Sequence, residues 1–242
     1  MSANSPPSDV PPVRTLANGV RVVCDPMPGL QTLAVSAVAG CGARFEDVGR
    51  SGWSHLLEHM VFKGAGARSA RDIVEAIEAQ GGQINAATGY ERTSYQVRAL
   101  AGGLPLGLDT LSDLLFRPRL DAADLAKEKQ VVGQEIAEAA DAPEDRVFEM
   151  AQAAAFPGQP LGRSILGDVG SIGAASPESL GAWRGRLYAP GSLGVSAAGA
   201  VDEDVLLQLA ERDFAGAVAP CDAAQPEAAQ FVGGMKPVAR RL

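Results

Sequence analysis

The sequence predicts an α+β fold: an antiparallel β-sheet with helices packed mainly on one face. Three observations predict it. Strand-like runs occur in pairs, one pair near the N-terminus and one around Gly89-Tyr90. Runs with helical spacing cluster between residues 104 and 187. The two kinds do not alternate strictly, as a parallel doubly wound sheet would require.

Taken in order, residues 1–12 are rich in Ser and Pro and read as a flexible lead-in. Asn18-Gly19 signals a turn before a short strand, Val20 to Cys24, which Asp25-Pro26 and Pro28-Gly29 close. A Val-rich strand, Leu30 to Ala39, stops at Gly40-Cys41-Gly42, and residues 41–52 form a polar loop. Ser54 to Lys63 carries Leu56, Leu57, Met60 and Val61 at helical spacing and ends at Gly64-Ala65-Gly66. Ser69, with Asp72 three residues on, caps a helix through Ile73, Val74 and Ile77 to Gln80. Gln83 to Thr88 and Arg92 to Leu100 then form a hairpin. Leu104 to Phe116 is a helix stopped by Arg117-Pro118, and Asp121 caps a long helix reaching Ala140. Pro143, at a first-turn position, opens another that reaches Ala155. Residues 157–175, with five glycines and two prolines, read as a loop. Ser176-Pro177-Glu178 starts a helix to Leu187, Ser192 to Ala200 is an apolar strand, and Asp202 to Phe214 a final helix.

Composition narrows the function classes. The chain has 242 residues, 46% of them hydrophobic and 21% charged, which is enough to build a core. Its 21 Lys+Arg against 29 Asp+Glu give a net charge of −8, which argues against a nucleic-acid partner. No apolar run is long enough to span a membrane, and the first residues lack a secretory or transit pattern. Cys24, Cys41 and Cys221 are isolated and read as reduced, the first two as small buried hydrophobes. These features together lead to an expected cytoplasmic location.

The chemistry concentrates in His55-Leu56-Leu57-Glu58-His59, which contains both histidines of the chain. On a helix His55 and His59 lie about 40° apart around the axis and one turn apart along it, and Glu58 lies about 60° from His55. Two imidazoles so placed can reach one ion, and neutral imidazoles suit Zn²⁺. The order is the inverse of the usual zinc-protease motif, with a carboxylate able to take a proton from an attacking water. A pair of histidines one turn apart is also compatible with ordinary surface or core residues.

A catalytic zinc needs a third protein ligand, and no histidine remains. It must be a carboxylate, or less plausibly a cysteine. On the helix that follows Asp121, Val132, Ile136 and Ala139 form an apolar stripe that includes Glu135, with Glu128 two turns earlier. Buried carboxylates are costly unless paired or bound to metal. Both could instead be solvated, or pair with Lys127, Lys129 or Arg146.

Gly52-Trp53-Ser54-His55-Leu56-Leu57-Glu58-His59-Met60-Val61-Phe62-Lys63-Gly64 resembles the signature of the pitrilysin, insulinase and mitochondrial processing peptidase family of zinc endopeptidases. Gly81-Gly82-Gln83-Ile84-Asn85-Ala86 is similar to the family's segment behind the metal helix. Glu135-Ile136, 76 residues beyond His59, matches the family's third ligand in motif and spacing. Pro160 to Gly167, Tyr188-Ala189-Pro190 and Ala198 to Val201 extend the likeness over roughly residues 14–235, nearest the bacterial and processing-peptidase branch.

The resemblance implies a processing-peptidase-like N-terminal catalytic half: residues 13–215 as the zinc domain, 216–230 as a linker and 231–242 as the start of a second domain. It implies one Zn²⁺ per chain held by His55, His59 and Glu135, with Glu58 as general base and Glu128 orienting a ligand histidine. Asn85 and Ala86 would lie on an edge strand to which the substrate adds. The implied function is hydrolysis of peptides or unfolded segments by zinc-activated water, completed by a second homologous half in cis or trans. The alternative is a non-catalytic scaffold subunit of the same fold.

Overall fold

Alternation along the strands decides the architecture. The computed structural model describes residues 10–216 and 226–234. Its first strands are β1 (Val13–Thr15), β2 (Arg21–Pro26) and β3 (Thr32–Ala39). Helix α1 (Trp53–Val61), a ribbon of β4 (Gly64–Ala65) and β5 (Arg68–Ser69), and α2 (Ala70–Glu78) follow. Next come the hairpin β6 (Gln83–Thr88) and β7 (Thr93–Leu100) and the helices α3 (Leu104–Phe116), α4 (Ala122–Asp141) and α5 (Pro143–Ala155). The chain then forms α6 (Val169–Ala174), α7 (Pro177–Leu187), β8 (Leu193–Gly199) and α8 (Glu203–Phe214).

The main sheet runs β1-β2-β8-β3-β7-β6. Leu33, Val35, Ala37 and Ala39 of β3, Tyr95 and Val97 of β7 and Leu193 and Val195 of β8 are buried on its inner face. The alternate positions Ser36, Ser94, Gln96 and Ser196 are half-buried or exposed, so one face carries the core, as the period of two requires. Helix α1 lies in that core between β6 and the outer helices α4, α6 and α7. Leu56, Leu57, Met60 and Val61, the residues that set its predicted spacing, are all fully buried.

Two expectations need correction. The first two long strands do not pair with each other: β8 lies between them, antiparallel to β3 but parallel to β2. The sheet is therefore mixed, because the last strand returns after a long helical crossover and splits the pair. Residues 157–175 are not all loop, since they contain α6. An Asp168–Ser171 capping box starts that helix, although its glycines hide the periodicity. The three-residue β1 and the β4–β5 ribbon are too short to show a period. The Ser69–Asp72 capping box and the starts of α3 and α5 fall where the sequence puts them. Cys24 and Cys41 are free and buried as expected, and Cys221 lies outside the described residues.

Residues 1–9 of the expected lead-in, and 217–225 and 235–242 of the expected linker and its continuation, also lie outside the described residues. Residues 226–234 run back over the domain. Gln159 bonds both main-chain groups of Gln230 at 2.8 Å, Val232 N–H donates to Ala155 O, and Phe231 meets the Phe156 ring edge-on.

Gly52 at the start of α1 is fixed by two constraints at once. Its φ is +86°, and a Cβ there would lie 2.4 Å from Leu166 O. Gly52→Ala is expected to cost about 3 kcal/mol or more, left-handed strain adding to the clash. Gly19→Ala also has positive φ but nothing within 4 Å, and should cost only about 1–2 kcal/mol. Urea unfolding of the two variants checks the difference; equal losses would mean that the close approach of the 166–167 loop does not matter.

Candidate metal centre

Helix α1 presents His55 and His59 on one side, and α4 packs against that side. Three donor atoms converge there. His55 Nε2 and His59 Nε2 are 3.3 Å apart, and Glu135 Oε2 lies 3.7 Å from the first and 3.6 Å from the second. Ligands at about 2.0–2.1 Å from a tetrahedral zinc are separated by about 3.3–3.4 Å. The triangle therefore fits one face of such a site, and its two imidazoles and one carboxylate are a donor set that zinc takes. It is the one such group of three among the described residues.

The surroundings prepare each donor. Burial, with His59 beside it, holds His55 down at about 4, so its imidazole is neutral at pH 7 and ready to ligate without losing a proton. Glu128 Oε2 lies 3.1 Å from His59 Nδ1. A proton placed there leaves Nε2 as the free lone pair. Glu128 is itself buried and is held by Lys63, whose Nζ is 2.8 Å from its other oxygen. None of the pairings that would have made Glu128 and Glu135 ordinary surface acids occurs. Lys127 pairs with Asp124, Lys129 donates to the Gly173 and Ala175 carbonyls, and Arg146 pairs with Glu149.

Glu58 sits beside this group, one residue before His59. Burial raises its pKa, while a 2.5 Å hydrogen bond from Thr88 Oγ1 acts in the opposite direction and fixes the carboxylate. Thr88 ends β6, the strand at the sheet's free edge. Asn85 and Ala86 lie on the same strand. Asn85 is exposed, and its Oδ1 accepts the N–H of Ala86 at 2.9 Å.

The structure thus brings together His55, His59, Glu135, Glu128 and Glu58, and places Asn85 and Ala86 on the neighbouring edge strand. The sequence pattern misses Thr88 and Lys63. Lys63 could have been suspected as a cation one turn beyond His59 on the face of Glu128; nothing local marks Thr88.

The family described as Insulinase (Peptidase family M16) matches residues 21–169. A protein named as an uncharacterized zinc protease from Mycobacterium bovis is 36% identical over 227 residues, 94% of this chain and 49% of that protein. The mitochondrial-processing peptidase subunit beta of Lentinula edodes is 34% identical over 84% of this chain and 43% of its own length. The crystal structure of a protease from Helicobacter pylori superposes with a TM-score of 0.82 at 23% identity, over 92% of this chain and 54% of that one. The chain spans about half the length of the curated relatives it matches. Among the described residues, no helix is long and apolar enough to cross a membrane. With the family match covering more than half of the sequence, the chain belongs to the insulinase family of peptidases, family M16.

Proposed function

We propose that the chain is the zinc-holding half of a metalloendopeptidase, residues 13–215 forming that half and 216–230 a linker. The convergence of His55, His59 and Glu135 within 3.7 Å, with Glu58 held beside them, carries this reading. One zinc per chain would be held by those three residues. When bound, it supplies a Lewis acid that polarises a carbonyl and makes water easier to deprotonate.

The residues of the chain do the rest. Glu58 takes the proton of the attacking water and passes it to the leaving nitrogen. Burial, which raises its affinity for that proton, suits both halves of the task. Glu128 keeps the His59 proton on Nδ1. An extended peptide adds to the free edge of β6, where main-chain bonds grip any sequence. The Ala86 N–H, which Asn85 now occupies, becomes available when the substrate displaces that side chain. Peptides and unfolded segments are the substrates this edge can accept, because a folded protein has few free strands to offer.

The length relation to its relatives supports a second homologous half, in cis or trans, that closes over the substrate. A scaffold subunit of the same fold has no use for a half-buried, oriented Glu58.

The test is to mix the chain with a homologous second half and follow cleavage of an unfolded peptide. Cleavage should appear on mixing, stop with a zinc chelator and return with added zinc. No cleavage in any combination would favour the scaffold; cleavage indifferent to chelation would rule out zinc.

A further inference from the structure

The start of α1 is served by a group that the chemistry above does not use. Gly52, its N-cap, has no side chain to offer, and no local cap closes the first turn. Five other helices are capped locally, by Ser69, Asp121, Asp168, Ser176 and Asp202. In α1 the task passes to Glu46, six residues upstream in a different element. One carboxylate oxygen accepts the N–H of Gly52 and the other that of Ser54, both at 2.7 Å. Glu46 is only 3% exposed. Its backbone carbonyl is in turn held by the Arg163 guanidinium.

Burying a carboxylate is costly, but Gly52, with its positive φ and the 166–167 loop against it, has no room for a serine or aspartate cap, so the acceptor for these N–H groups has to come from another element. What Glu46 adds is a clamp on position. It ties the first turn to the 43–50 loop, while Trp53 Nε1 donates to Ser171 O and Trp183 Nε1 to Ser54 Oγ. His55 follows Ser54 directly, and its own Nδ1 is buried with no partner. No hydrogen bond of the ring to an outer group therefore orients His55, in contrast to His59 with Glu128. Its aim is inherited from the helix backbone.

We infer that Glu46 is a positioning residue for the metal centre: by clamping the Gly52 and Ser54 N–H groups it fixes the first turn of α1, and so the aim of His55 at the zinc. The inference rests on the proposed function for the zinc itself. The burial of Glu46 pushes it up to about 7, against the pull of its two N–H donors, so it is tested at pH 8, where it is ionised.

In E46Q the amide keeps shape and one acceptor but turns an NH₂ toward the second N–H. Zinc affinity by chelator competition should fall by about 10–100-fold, the range for outer residues that orient a ligand. The visible bands of the cobalt-substituted protein, which report ligand geometry, should change with it. Leu206→Ala, a fully buried position on α8, is the control: it should lower the melting temperature and leave affinity and spectrum unchanged. If E46Q does not fold, E46D, with the charge kept and the reach shortened, carries the test and should give a smaller loss. Wild-type affinity and spectrum in the folded variant overturn the inference alone. A wild-type chain without zinc affinity overturns the proposed function and this inference together.

Discussion

His55→Ala empties the metal centre. The wild-type chain is expected to purify with about one zinc, and the variant with almost none, although both fold. The expected loss follows from the donor count. Zinc-finger peptides bind their metal with about 10–16 kcal/mol shared over four ligands, or about 2.5–4 kcal/mol each, so one lost ligand is worth about 10²–10³ in affinity. Removing His55 also breaks no hydrogen bond to the fold outside the donor group. Burial keeps it neutral, its Nδ1 makes no hydrogen bond, and α1 is anchored by Leu56, Leu57 and Met60 instead. Metal analysis and chelator competition on the purified chain make the measurement. A metal-free wild-type protein would sink the site, and a variant that keeps wild-type affinity would remove His55 from it.

The legibility of this centre in the sequence follows sequence separation. His55, Glu58 and His59 lie on one helical turn, where 100° per residue fixes their mutual placement before any tertiary structure exists. Glu135 is harder, because only its place in the apolar stripe of α4 marks it, and geometry alone leaves solvation open. The structure shows why the stripe carries acids: Glu128 faces Lys63 and His59, and Glu135 faces both imidazoles. Thr88 and Glu46 are unreadable in the same way. Each is an ordinary residue in its own neighbourhood and takes its role from a partner that only the packed sheet and loops bring near. The same limit hides the place of β8. Alternation says that Ser192 to Ala200 is a strand, but its insertion between β2 and β3 depends on pairings far along the chain. Even so, side-chain alternation puts the right residues inward, since burial of one face does not depend on which strand lies next to it.

Glu58→Gln separates holding zinc from using it. Glutamine has the shape of glutamate and can still accept the Thr88 hydrogen bond, so the wall of the site should stay in place. It cannot accept the proton of an attacking water. General bases contribute about 10²–10⁴ in rate, and cleavage of an unfolded peptide by the completed enzyme should fall by that factor. Zinc content and affinity should remain at wild-type values, because the zinc-facing triangle is made by His55, His59 and Glu135 without Glu58. Glu135→Gln gives the opposite pattern, with zinc lost first and cleavage lost as a consequence. The two variants test the division of labour between carboxylates about one helix apart. If Glu58→Gln loses zinc, Glu58 is a ligand and the proton acceptor must be sought elsewhere. If it keeps both zinc and turnover, no carboxylate on α1 takes the proton, and Thr88 holds Glu58 for the fold alone.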